Sequence, residues 1–232
     1  MEFFEAVSTR RSVRKYHATK VPDEVINKAL DAALLAPNSS TMQAWEFYWV
    51  RSAEKKTALV DACFGQPAAS TAAELVVAIA RCDTWRRNRQ LMLAELKNAK
   101  GVPKTALDYY EKLIPVAYIQ GWFSEVGFLK RVIIDTIGLF RPMPRGPYSR
   151  GGQFSVLSKS TALACENFML AIAAQGYGTC PMEGLDEYRV KRILGLGRDA
   201  RVVMCISVGE PDKDGIYGKR IRFDRNLFIK EV

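Results

Sequence analysis

The chain has 232 residues, 48% of them hydrophobic, with a formal net charge of +9 and one histidine. That is enough apolar chain to bury a full core as one large domain or two small ones, which sets the sequence apart from disordered proteins. A Ser-His-Asp triad, a Cys-His dyad or a His-based metal site would each have to be built on His17 alone, the sole imidazole, and five cysteines without a CxxC pair argue against a disulfide framework and a zinc site. Cys63, Cys82, Cys165, Cys180 and Cys205 read as reduced, buried thiols. The start, Met1-Glu2-Phe3-Phe4-Glu5, is acidic where a secretory signal is basic, and no apolar run reaches membrane-spanning length. A cytoplasmic protein without a membrane partner is expected. Its charge asks for an anion: nucleic acid, or the phosphates of a flavin or nicotinamide nucleotide drawn to a basic cleft.

A short helix over residues 2–8, with Phe3, Phe4 and Val7 on one face, opens the chain. It delivers Thr9-Arg10-Arg11-Ser12-Val13-Arg14-Lys15-Tyr16, where guanidiniums offer paired donors and the serine a rotatable one, a good seat for a dianionic phosphate. A run of cations is also what a solvated face looks like. Pro22 suits a first helical position, and Val25, Ile26, Ala29, Leu30, Ala33 and Leu34 recur at helical spacing until Pro37 stops the helix. Ala36-Pro37-Asn38-Ser39-Ser40-Thr41-Met42-Gln43-Ala44-Trp45 then sets small and amide-bearing residues before a strand over 46–51. They suit the imide-like edge of a heterocycle, or a loop that caps itself.

Ser52 caps a helix to about Phe64, closed by Gly65, and 75–80 reads as a buried strand. A basic helix over 83–100, closed by Gly101, leads into more helical sequence from 104 to 140, broken by Pro115 and Gly121. This stretch carries Trp85, Tyr109, Tyr110, Tyr118, Trp122, Phe123 and Phe128, either an aromatic wall over a ligand or core. Residues 141–152, with Pro142, Pro144, Pro147, Arg141, Arg145 and Arg150, read as a lid-like loop whose cations suit an anionic substrate or water. Ser155 or Ser158 starts the most apolar helix, ending at Gln175-Gly176. Being apolar on more than one face, it needs a central place or a second copy of itself to pack on. Residues 176–186 read as a glycine-rich turn whose N–H groups can approach a ligand, Asp186 caps a helix to about Leu194, and 201–208 is a buried strand. The basic tail Lys219-Arg220-Ile221-Arg222 follows.

The order Arg-Arg-Ser-x-Arg, Ala-Pro-Asn-Ser-Ser-x-x-Gln-x-Trp, Gly-Tyr-Gly-Thr-x-Pro-Met-Glu-Gly, Val-Gly-Glu-Pro and a Lys/Arg tail resembles the FMN-dependent nitroreductase family over residues 1–80 and 155–225. The resemblance implies an α+β fold, an α/β/α sandwich with a mostly antiparallel central sheet. It implies one domain over 1–232, with a helical and loop cover at about 83–154, in an intertwined homodimer that binds two flavins at its interface. FMN would be the cofactor and NAD(P)H the co-substrate. Arg10, Ser12 and Arg14 would hold the phosphate, Arg11 would contribute backbone or ring-side contact, and Arg220 and Arg222 would complete the site from the tail. Pro37, Asn38, Ser39, Ser40 and Gln43 would pack on the isoalloxazine across the dimer interface. Pro181, Met182, Glu183 and Gly184 would lie along its reactive face, with the Glu183 and Gly184 backbone near N5, and Gln66 would touch the pyrimidine side. No side chain is expected to act as the catalyst: hydride would pass through flavin N5, by ping-pong turnover, to a nitroaromatic, quinone or related conjugated acceptor. A flavin dehalogenase or flavin-binding protein of the same fold, and a basic nucleic-acid-binding protein, are the alternatives.

Overall fold

The computed structural model describes residues 1–120 and 125–232. Strands β1 (Trp45–Trp49), β2 (Glu74–Arg81), β3 (Gly178–Met182) and β4 (Ala200–Gly209) form one antiparallel sheet in the order β1-β2-β4-β3. The helices are α1 (Phe3–Thr9), α2 (Asp23–Leu34), α3 (Ala53–Ala62), α4 (Pro67–Ser70), α5 (Trp85–Asn98), α6 (Lys104–Asp108), α7 (Ile114–Tyr118), α8 (Glu125–Ile137), α9 (Arg150–Ala174) and α10 (Glu187–Leu194). A π-helical turn, Tyr109–Leu113, joins α6 to α7.

The alternation of side chains along β2 decides the layers. Val76 and Ala78 pack with Ile26, Ala29, Ala33, Phe168 and Ile172 of α2 and α9, whereas Leu75, Val77 and Ile79 pack with Leu59, Ala62 and Val190 of α3 and α10. On β4, Val202 and Met204 would share a face in a regular strand. The register slips there, Ala78 pairing with Met204 and Ile79 with Val202. This bulge turns Val202 toward the α3 side and sends Met204, Ile206 and Val208 toward α9. Helices therefore cover both faces of an antiparallel sheet, as expected.

Local chemistry sets most element ends. Ser52 Oγ accepts from Lys55 N at 3.3 Å and Asp186 Oδ1 from Arg189 N at 3.1 Å, caps worth about 1 kcal/mol each. Three readings differ from the structure. Pro22 stands just outside α2 as its capping residue, and Leu34 at the other end is 51% exposed. The most apolar helix begins at Arg150, because Ser149 Oγ accepts from Gly152 N at 3.1 Å and caps it there, so Arg150, Gly151 and Gly152 belong to α9 and not to the preceding loop. Gly178–Met182 is an edge strand and not a turn; Pro181, lacking an N–H, is tolerated at a sheet edge. Gly121, Trp122 and Phe123 lie outside the described residues.

All five cysteines are free and buried, and burial pushes Cys82 and Cys165 up to about 12, which leaves both thiols inert. Among the described residues no helix is long and apolar enough to cross a membrane, and no group of three His, Cys, Asp or Glu could hold a metal.

The N-terminal segment is sewn onto the β3 edge. Ser12 bridges Thr179, and Val13 N donates to Thr179 O at 2.9 Å. Tyr16 then enters the core, its hydroxyl 2.8 Å from Ser207 Oγ, and burial pushes its phenol far above the usual range. Its ring fills the space over Gly209, where a Cβ would come within 2.7 Å of it. Tyr16→Phe is expected to cost about 1 kcal/mol, read as a fall of about 2–4 °C in the thermal unfolding midpoint.

Candidate functional site

Head and tail close on each other beside β3. Arg14 N donates to Gly215 O at 2.6 Å, Arg11 Nη2 to Gly218 O at 2.9 Å, and Arg220 Nη2 to the carbonyl of Arg10 at 2.5 Å. The approach needs glycine at 215, where a Cβ would stand 2.2 Å from the Lys15 carbonyl oxygen. Between the two segments lies a cleft of about 380 Å3, lined by Arg10, Arg11, Ser12 and Arg14 from the head and Tyr217, Lys219, Arg220, Ile221 and Arg222 from the tail.

Every charged side chain lining this cleft is a cation. Arg220 shows the cost: desolvation, then the charges of Arg222, Arg11 and Arg10, lowers its pKa from the ordinary guanidinium value. Glu166 of α9 stands 3.9 Å from Arg10 Nε, too far for a hydrogen bond, and Arg10 Nη1 is buried without a partner among the described residues. Among the described residues no carboxylate pairs with Arg11, Arg14, Lys219, Arg220 or Arg222, so the cleft gathers cations without a counter-charge from its own chain. The donor set fits a phosphate dianion: guanidinium forks from Arg10, Arg14, Arg220 and Arg222, with a rotatable hydroxyl from Ser12.

The structure brings these head and tail residues together and keeps the other sequence-predicted groups apart from the cleft within one chain. Gln66 Nε2 donates to Cys63 O at 3.0 Å and to Gly184 O at 3.1 Å, which ties the α3–α4 corner to the end of β3. There Met182 is buried in the core, so its side chain serves packing, whereas Glu183 and Gly184 are exposed. The third group, Pro37–Gln43, forms a loop between α2 and β1. Ser40, Thr41 and Gln43 have φ of 56°, 50° and 43°, a left-handed backbone that costs about 1–2 kcal/mol per residue without glycine.

The aromatic residues proposed as a wall are divided. Trp85 and Tyr110 are buried with Met42 and Ile114, Tyr118 stacks on Trp85 at 5.6 Å, and Phe128 is exposed. Arg145 and Arg150 are engaged by carboxylates of their own chain, Asp135 at 2.5 Å and Asp199, and are not free cations in wait of a substrate. Sequence reasoning had the basic tail but missed Tyr217 as a wall of the cleft and Gly215 as the close-approach point. Neither carries a local signal, since each acts through a segment some 200 residues away, Arg14 N and Gly215 O being the joint.

A model of the nitroreductase family matches residues 7–210. Over 220 residues the chain is 27% identical to the NADH dehydrogenase of Thermus thermophilus, covering 95% of this chain and 92% of that protein. A protein of Exiguobacterium sibiricum solved in complex with FMN aligns with a TM-score of 0.73 at 22% identity, covering 100% of this chain and 98% of the other. The NADPH:FMN oxidoreductase of Vibrio harveyi, solved with NAD+, aligns with a TM-score of 0.66 at 19% identity, covering 99% and 76%. At such identities the structural likeness speaks to the fold.

Inorganic phosphate at about ten times its dissociation constant is expected to stabilise the protein by about 1.4 kcal/mol over chloride at equal ionic strength. Gly215→Ala, by pushing the tail off Lys15, is expected to abolish that shift in a thermal melt.

Proposed function

The chain belongs to the nitroreductase family, and from that premise we propose that it is an NAD(P)H-dependent flavin oxidoreductase that holds FMN by its phosphate in the basic cleft and reduces a nitroaromatic, quinone or related conjugated acceptor. The observation that carries the cofactor assignment is the all-cationic cleft that the two ends of the chain form together. When bound, FMN supplies two-electron hydride chemistry that side chains cannot perform. The protein's own residues do the holding. Arg10, Ser12, Arg14, Arg220 and Arg222 would take the phosphate, Arg220 and Arg222 with the donors left after one nitrogen of each goes to a carbonyl, while Arg11, its Nη2 on Gly218 O, would add backbone or ring-side contact.

The exposed backbone at Glu183 and Gly184, steadied by Gln66, and the strained 37–43 loop are the surfaces we assign to the ring. Because the loop does not line the cleft of its own chain, we assign its contact to the flavin of a second subunit in a homodimer. Exposed apolar side chains support a dimer: Phe3 and Phe4 of α1 are 63% and 82% exposed, Leu163 of α9 is 50%, and Phe223 and Phe228 of the tail are 72% and 69%. Turnover is inferred to be ping-pong, nucleotide and acceptor using one place in turn. Family membership favours this enzyme over the nucleic-acid reading of the net charge.

The purified protein is expected to be yellow and dimeric, to bleach anaerobically with NADH or NADPH, and to recover colour with a quinone or nitroaromatic. Arg220→Met is expected to weaken FMN at least tenfold and riboflavin, which lacks the phosphate, less than twofold. A colourless protein that takes up no FMN would sink the proposal; equal losses for both ligands would move the phosphate out of the cleft.

A further inference from the structure

The 38–43 loop is held in its strained shape from one side. Asn88 of α5, which is 7% exposed, donates Nδ2 to Met42 O at 2.7 Å and to Gln43 O at 3.2 Å. The Tyr110 hydroxyl donates to Ser40 O at 2.9 Å, and the Tyr109 hydroxyl lies 2.5 Å from Ser40 Oγ. Met42, fully buried among Trp85, Tyr110 and Ile114, pins the middle of the loop. Away from this side the restraints are slight: Ser39 N meets Ser160 Oγ at 3.4 Å, and Asn38 Oδ1 accepts from Gln43 N at 2.8 Å.

These bonds sort the polar side chains of the loop. Asn38 is spent inside the loop and the Ser40 hydroxyl is spent on Tyr109. Among the described residues, the Ser39 hydroxyl and the Gln43 amide make no hydrogen bond, and both residues are exposed. Left-handed backbone at Gln43 and at Ser40-Thr41 is unfavourable in isolation and persists only where the surroundings over-determine it.

We propose that Asn88, Tyr109 and Tyr110 are positioning residues that hold the loop so that the Ser39 hydroxyl and the Gln43 amide meet the polar edge of the flavin ring. This rests on the FMN reading above. The helices between 85 and 118 are then a brace for the cofactor contact as well as a cover. Asn38 and Ser40 give their side chains to the shape of the loop.

The test uses the full-length chain, with riboflavin as the ring-only probe, FMN, and inorganic phosphate. Tyr109→Phe/Tyr110→Phe removes two hydroxyls and keeps both rings; it is expected to weaken riboflavin about tenfold, to alter the visible circular dichroism of bound FMN, and to leave phosphate affinity unchanged. Gln43→Ala is expected to weaken riboflavin to a similar degree, and combining it with the double variant to add less than threefold, since both remove one contact. Riboflavin affinity within twofold of the parent in the double variant or in Gln43→Ala, or a full additional tenfold loss on combining them, overturns the proposal. Should the double variant lose cooperative unfolding, Tyr109→Phe alone decides: among the described residues the Tyr109 hydroxyl reaches only Ser40 Oγ, and a threefold or greater loss of riboflavin affinity with an unchanged phosphate constant supports the brace, whereas a smaller loss overturns it. A parent protein that binds phosphate but neither flavin would instead defeat the FMN reading.

Discussion

The functional end of this protein depends on holding like charges together. Arg10, Arg11, Arg14, Lys219, Arg220 and Arg222 meet around one cleft although their repulsion opposes it. Two of the cations also serve as clasps, Arg220 on the carbonyl of Arg10 and Arg11 on the carbonyl of Gly218, so that each end of the chain grips the backbone of the other. The backbone bond from Arg14 N to Gly215 O closes the seam. What the clasps cannot supply is a counter-charge within hydrogen-bonding distance, because Glu166 stands off at 3.9 Å. An anion in the cleft would relax the repulsion that lowers the Arg220 pKa. Closure of the termini is therefore opposed by a repulsion that a bound anion would relieve.

Much of this was legible in the sequence because it is local chemistry. Caps at Ser52 and Asp186 and the clustered cations at 10–14 and 219–222 act over a few residues and announce themselves. The strand β3 was hidden for the opposite reason. Its composition, Gly-Thr-Cys-Pro-Met, argues for a turn, and it is a strand because β4 pairs with it on one side and Ser12 and Val13 cover the other. The parity change at Val202 was hidden too, since a bulge is a property of two strands and not of one. Arg145 and Arg150 looked like free cations because their carboxylates, Asp135 and Asp199, lie outside any window in which charge pattern is read. The start of α9 at Arg150 turned on one side chain, Ser149, in a stretch where two glycines at 151 and 152 argue against helix.

The same distinction separates the two halves of the site. Phosphate is gripped by charge, which acts over several ångströms, tolerates small displacements and needs only that cations be delivered near one another. Chain termini can do this. A planar ring is recognised by groups that must be placed within a few tenths of an ångström, which mobile segments cannot offer. The 38–43 loop has the required fixity: its backbone is left-handed at Ser40, Thr41 and Gln43, and its carbonyls are bonded to Asn88 and Tyr110.

This division bears on why the net charge is so high while the ionisable groups available for acid-base work are so few. His17 is half exposed beside Asp212, Glu183 is exposed, and the buried thiols of Cys82 and Cys165 are held protonated. None of these sites shows the buried carboxylate or imidazole, poised by a neighbouring charge, that general acid-base catalysis requires. Six cations are gathered at one cleft instead, and the precision goes to the shape of one loop. A protein built so can perform redox chemistry through a held cofactor without a catalytic side chain, and its selectivity among acceptors then follows from the space above the ring. In this chain Asn88 of α5 and Tyr109 and Tyr110 of the π-helical turn, from the segment that follows β2, bond to the loop.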